Sequence, residues 1–73
     1  MIWNKVYIGG PADGEVVRDV KQLHAREILY RKIGDKVVPC VYELDKDDHT
    51  PKVVGDNAPY ESDHHYLFKG VLP

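Results

Sequence analysis

Serine, threonine, cysteine and methionine are almost missing from this 73-residue chain, with one residue of each. A single cysteine, Cys40, excludes an internal disulfide and any Cys-x-x-Cys redox or zinc motif. Within the apolar run Val37-Val38-Pro39-Cys40-Val41, with no cation close by, it reads as a small buried hydrophobe. Ser62 is the only serine, and no spacing sets a nucleophile beside a base. The balance therefore leans away from an enzyme. No apolar run approaches the ~18 residues of a membrane span. Met1-Ile2-Trp3-Asn4-Lys5 also lacks the charged and then apolar order of a signal peptide, so the expected location is the cytoplasm. A broad basic face is missing too, because the net charge is −2. Residues 1–42 carry seven Lys/Arg against five Asp/Glu, and residues 43–63 carry seven Asp/Glu against Lys46 and Lys52. That asymmetry disfavours duplex nucleic acid and leaves room for a local cationic pocket that holds a small anion.

What is present is short apolar bursts separated by turn formers, the mark of a folded domain of small strands. A chain of this length makes a single domain, 1–73, that buries only about 60% of its unfolded surface. Lacking disulfides and a metal motif, it is expected to gain burial as a homo-oligomer. Residues 2–8 alternate, with Ile2, Val6 and Ile8 on one side and Trp3, Lys5 and Tyr7 on the other, which predicts a first strand. A second runs from Glu15 to Arg18. Asp19-Val20-Lys21-Gln22 has capping-box spacing and predicts a helical turn over 20–25. Residues 26–33 and 36–44 flank Gly34-Asp35, a glycine-led pair that suits a type II′ hairpin turn. Pro39 has no amide proton to give, so its arm is expected to lie at an edge or to bulge. Residues 45–63, rich in Asp, Pro, Gly and Asn, read as a long acidic surface loop. A last strand covers 64–70.

The predicted architecture is mainly β, a small twisted antiparallel sheet or partly closed barrel of four to five strands with one short helical turn. Alternation nominates Val6, Ile8, Ile28, Tyr30, Val38, Cys40, Tyr42, Tyr66 and Phe68 as core, although period two alone does not say which face is buried.

The stretch with the most unusual backbone demands is Tyr7-Ile8-Gly9-Gly10-Pro11-Ala12-Asp13-Gly14-Glu15. Glycine-rich turns can aim backbone amides at phosphate oxygens. Gly9 and Gly14 have P-loop spacing, but Glu15 and Val16 stand where lysine and a hydroxyl are needed, and the dinucleotide fingerprint fails as well. Two readings stay open: a structural turn, or a loop that contacts a ligand. As a ligand loop, Gly9, Gly10, Pro11 and Gly14 would approach phosphates and Asp13 would accept from a ribose. Arg18, Arg26 and Arg31 would neutralise charge, and Trp3, Tyr7 or Tyr60 would stack on a base. His65 would line the same polar site. His64 and His65 are neighbours on a strand and point to opposite faces, which argues against a shared metal. The acidic run Asp45-Lys46-Asp47-Asp48-His49-Thr50 lacks the glycine and glutamate of a calcium loop. Neither a metal nor a cofactor is expected.

The segment Tyr7-x-Gly9-Gly10-Pro11-x-Asp13-Gly14-x-Val16, with a closing His65-Tyr66-x-Phe68-x-Gly70 strand, resembles small uncharacterised proteins of bacteriophages and prophages. The resemblance implies a compact oligomer in the host cytoplasm. Phage genomes also encode compact oligomers that sequester nucleotide second messengers of host defence, cyclic ADP-ribose derivatives or cyclic dinucleotides, without catalysis, and the resemblance implies that role for this chain. The alternative is a protein-interaction module that inhibits a host protein or packs in a virion through an exposed sheet edge. A nucleotide-signal hydrolase with His64 or His65 as base is a third class.

Overall fold

A computed structural model describes residues 2–53 and 60–73, with side chains described outside 47–53 and 60. Five strands, β1 (Ile2–Ile8), β2 (Val16–Val20), β3 (Arg26–Ile33), β4 (Lys36–Val53) and β5 (Tyr60–Val71), and one 3-10 turn at Gly10–Ala12 follow in that chain order. They form one sheet in the order β2-β1-β5-β4-β3, which curls into a half-barrel. The mainly β, partly closed architecture expected from the sequence is what the chain adopts. One pairing departs from an all-antiparallel meander, because β5 inserts between β1 and β4 and runs parallel to β1.

The β3–β4 hairpin holds an unbroken register from Ile33↔Lys36 to Arg26↔Glu43. Gly34 sits at φ +64°, and Asp35 stays outside the positive-φ region, the pattern of a type II′ turn. The register also explains Pro39. A two-residue hairpin makes Ile33 and Lys36 a hydrogen-bonded pair, so Tyr30 and Pro39 fall in a non-hydrogen-bonded one. The missing N–H of Pro39 thus points away from β3, toward β5 just where that strand ends. Only its carbonyl is needed there, and it accepts from the Leu72 amide at 3.0 Å. A proline is accommodated in a central strand because the ladder on its blind side has run out.

Bulges supply the curl. Between Trp3 and Lys5 of β1, strand β2 inserts an extra residue and Asp19 takes φ +57°. Opposite Val41 and Tyr42, β5 bulges at Gly70, φ +140°. A third irregularity lies between Leu44 and His49. Each extra residue bends its strand and increases the local twist.

Three expectations need correction. The helical turn is at Gly10–Ala12, and 20–25 has none. Asp19 does not cap, because its amide donates to Asn4 Oδ1 (3.2 Å) and its carboxylate takes Lys21. The acidic loop at 45–63 is replaced in its described part by strand. β4 continues to Val53 and β5 begins at Tyr60, paired through His49↔His64 to Val53↔Tyr60; residues 54–59 lie outside the described residues. Turn-forming composition yielded to a long pairing partner. This extension makes the molecule elongated, 46 × 22 × 18 Å.

The third correction concerns the faces of β1 and β3. Cys40, Tyr42 and Tyr66 are buried as expected, but Ile8, Ile28 and Tyr30 are exposed, and Tyr7, from the other side of β1, is buried instead. Both faces of these strands carry apolar residues, and register decides between them: Tyr7↔Tyr66 and Tyr42↔Phe68 bring large rings together on the concave side, with Leu44 opposite Tyr66. Tyr7 meets Tyr42 edge-on at 5.2 Å and Tyr66 at 5.5 Å, and Tyr42 meets Phe68 at 5.4 Å. Ala12 of the 3-10 turn, Leu23, Leu29 and Val38 complete the core. A five-stranded curl has room inside for rings, and Ile8, Ile28 and Ile33 are left exposed.

Candidate functional site

The glycine segment is a turn fastened to the core. Gly9, Gly10 and Gly14 all take positive φ, which allows the chain to reverse twice between β1 and β2. Five of its amides are engaged within the chain. Gly9 donates to Asp13 Oδ1 (2.7 Å), Ala12 to Tyr42 Oη (2.9 Å), Asp13 to Gly10 O (3.2 Å), Gly14 to Tyr7 O (2.9 Å) and Glu15 to Ala12 O (3.0 Å). Pro11 has no amide hydrogen to offer. Tyr42 Oη in turn donates to Gly9 O at 2.6 Å, so one buried hydroxyl ties both ends of the turn. Beneath it lies Phe68, whose ring occupies the space a Cβ on Gly10 would need. Burial is the main reason the Tyr42 phenol is harder to ionise than a free tyrosine.

A second cluster closes the open side of the half-barrel. Glu27 on β3 accepts from Lys5 Nζ and from Tyr7 Oη, each at 2.5 Å. The Lys5 and Glu27 side chains are only 15% and 11% exposed, so this pair bridges β1 and β3 largely out of water. Burial first, and then the Glu27 hydrogen bond and charge, push the Tyr7 phenol well up. Tyr66, whose hydroxyl donates to His24 O (2.5 Å), is pushed up to about 12 by burial and by the charge of Glu27. Nearby, Arg31 grips Glu15 with Nε (2.8 Å) and Nη2 (2.5 Å), and its Nη1 donates to Tyr30 O (2.9 Å). That fork holds the Glu15 carboxyl below its usual range and the guanidinium above its own. These groups neutralise one another in pairs, which suits them to pin strands together.

The candidate ligand residues are distributed as follows. Tyr7 is core, and Trp3 is half-buried on β1. Gly9, Gly10, Pro11, Asp13 and Gly14 form the turn just described. Arg31 is engaged with Glu15, Arg26 lies on the other face of β3, and Arg18 is exposed on β2 at the opposite edge of the sheet. His65 is half-buried on the convex face, and its neighbour His64 is buried on the concave one, with Nε2 2.9 Å from Ser62 Oγ. The Tyr60 side chain lies outside the described residues. The structure therefore brings Tyr7 and, through Glu15, Arg31 to the glycine turn, whereas Arg18 lies on the β2 edge strand and Arg26 and His65 lie on the convex face of β3 and β5. No enclosed cavity and no metal-binding cluster occur among the described residues.

The two sheet edges differ. β2 is five residues long, bulged, and distorted at Asp19. β3 is eight residues long, without bulge, proline or glycine. Since Glu27, Leu29, Arg31 and Ile33 bond to β4, the amides and carbonyls of Arg26, Ile28, Tyr30 and Lys32 point outward, and no strand among the described residues pairs with them. The side chains beside this edge are apolar and exposed: Ile28 43%, Tyr30 66%, Ile33 47% and, on β4, Val37 67%. Placing Ile28 and Tyr30 in the core concealed this surface at the level of sequence. The available signal was the uninterrupted, glycine-free and proline-free run 26–33 leading into a tight hairpin turn. No protein-family model, no curated protein and no solved structure matches this chain.

Proposed function

We propose that this chain is a non-catalytic interaction module that binds extended polypeptide along the free edge of β3. The observation that supports it is the contrast between the edges: β2 carries the bulge and the left-handed residue that discourage pairing, and β3 carries neither. A strand added to β3 would bond to Ile28, Tyr30 and Lys32 and would rest its side chains against Ile28, Tyr30 and Val37. Acting in the host cytoplasm as a phage or prophage protein, as the sequence resemblance implies, it would inhibit a host protein or join a virion assembly.

Capture of a small phosphorylated nucleotide is the second reading. It is favoured by Arg18, Arg26 and Lys32, which are exposed and make no ion pair among the described residues. Most of the glycine turn would contribute little, since the amides of Gly9, Ala12, Asp13, Gly14 and Glu15 already have acceptors. The two readings separate in one titration series followed by amide NMR. A synthetic strand peptide of alternating threonine and valine is expected to shift Ile28, Tyr30 and Lys32, and a panel of cyclic dinucleotides and ADP-ribose derivatives is expected to shift nothing. Saturable binding of any nucleotide, with the peptide inert, would reverse the ranking.

A further inference from the structure

We propose that the strand completing β3 belongs to a second copy of this chain, the two β3 strands running antiparallel about a two-fold axis at Leu29. This rests on the edge-module reading and names its partner. An antiparallel ladder pairs outward-bonding residues with outward-bonding residues, so only registers that match the set Arg26, Ile28, Tyr30 and Lys32 to itself are available. With the axis at Leu29, residues 26–32 of one copy lie against 32–26 of the other. Shifting the axis to Ile28 shortens the overlap to 26–30. Shifting it to Tyr30 sets Ile28 against Lys32 and Leu29 against Arg31.

The Leu29 register matches side chains on both faces. On the convex face Ile28 opposes the partner's Tyr30, twice, a pairing of β-branched and aromatic groups that stabilises antiparallel sheets. On the concave face Glu27 opposes the partner's Arg31, also twice. Within each chain Arg31 holds Glu15 and Glu27 holds Lys5. Across the interface the charges then run Glu15, Arg31, the partner's Glu27, the partner's Lys5, alternating in sign without interruption. Tyr30 O already accepts from Arg31 Nη1, and a carbonyl has a second lone pair for the partner's Ile28 amide. Arg26 beside the partner's Lys32 is the one mismatch, and it lies at each solvent-facing end of the ladder, where salt screens it.

Cysteine cross-linking reads the register directly. Chains carrying Ile28→Cys and chains carrying Tyr30→Cys are oxidised separately and mixed, with the wild-type chain, which retains Cys40, as the control. A disulfide-linked dimer is expected in the mixture and in neither variant alone. A dimer from Ile28→Cys alone or Tyr30→Cys alone moves the axis and overturns the register. Sedimentation supplies the second arm: the wild-type chain is expected at twice its 8.3 kDa mass and the folded Ile28→Lys/Tyr30→Lys variant at the single mass. A wild-type chain that is monomeric up to millimolar concentration overturns the second copy as partner. In that event, protection of the Ile28 and Tyr30 amides by the alternating threonine and valine peptide would retain the edge-module reading, and no protection would overturn both.

Discussion

Adding one methyl group to Gly10 tests whether the glycine segment is a fastened turn or an open binding loop. Gly10 and Gly14 have similar backbones, φ +64° and +85°, but a Cβ on Gly14 meets open space and one on Gly10 meets the Phe68 ring. The left-handed conformation costs an L-residue about 1–2 kcal/mol. That is the whole expected effect of Gly14→Ala. Gly10→Ala adds the strain of overpacking a ring that is itself held against Tyr42, about 1–3 kcal/mol more. With a urea slope near 1 kcal/mol/M for so small a chain, the midpoint should fall by about 1–2 M for Gly14→Ala and by about 2–5 M for Gly10→Ala. The larger value approaches the whole stability of a domain of this size. A double-mutant cycle isolates the steric part: in a Phe68→Ala background the Gly10→Ala penalty should shrink to that of Gly14→Ala. Equal penalties for the two single variants would show that the turn does not rest on Phe68, and the reasoning that makes it a structural device would fail.

Three further outcomes follow from the same geometry. Tyr42→Phe leaves the buried Ala12 amide and Gly9 carbonyl without their shared partner and should cost about 1–3 kcal/mol in urea unfolding, whereas Tyr30→Phe, largely exposed, should be near neutral. The Tyr7 and Tyr66 phenols are raised in the folded state, so their contribution is complete below the unfolded tyrosine value of about 10 and is lost as pH rises through the folded values; alkaline unfolding followed by tyrosinate absorbance should therefore begin above pH ~10, with Tyr66 ionising only near about 12. The Glu15 carboxyl is lowered, so the Glu15–Arg31 pair contributes above the unfolded glutamate value and is lost as pH falls through the folded one. Because both side chains are more than a third accessible on average, Glu15→Gln should cost only about 0.2–1 kcal/mol at neutral pH, and the difference from wild type should vanish in acid.

Local chemistry made much of the fold legible. Gly34-Asp35 specified its hairpin because a leading glycine suits the first positive φ of a type II′ turn, and alternation over 2–8 and 64–70 marked β1 and the core of β5. Pro39 was expected to put its arm at an edge or to bulge it, yet β4 is an interior strand paired with β3 without a break, because the proline's blind side falls where β5 stops, a long-range fact. Faces were not legible: Ile8, Ile28 and Tyr30 are as apolar as Tyr7 and Leu29, and only the parallel insertion of β5 beside β1 puts the rings together. Asp19 illustrates the opposite error. Its spacing to Gln22 is helical, yet a buried Asn4 side chain takes its amide and a bulge takes its backbone. For the candidate site, the glycine turn was found at once because it is a local feature. The β3 edge was hidden, since being an edge depends on strand order.

Amide hydrogen exchange along β3, read by NMR in dilute protein, bears most directly on that edge. Glu27, Leu29, Arg31 and Ile33 donate to β4 and should exchange slowly, whereas Ile28, Tyr30 and Lys32 should exchange fast and become protected as the protein is concentrated. Uniform protection of both sets in protein that sediments as a monomer would mean that the chain covers its own edge, and would contradict the interaction module.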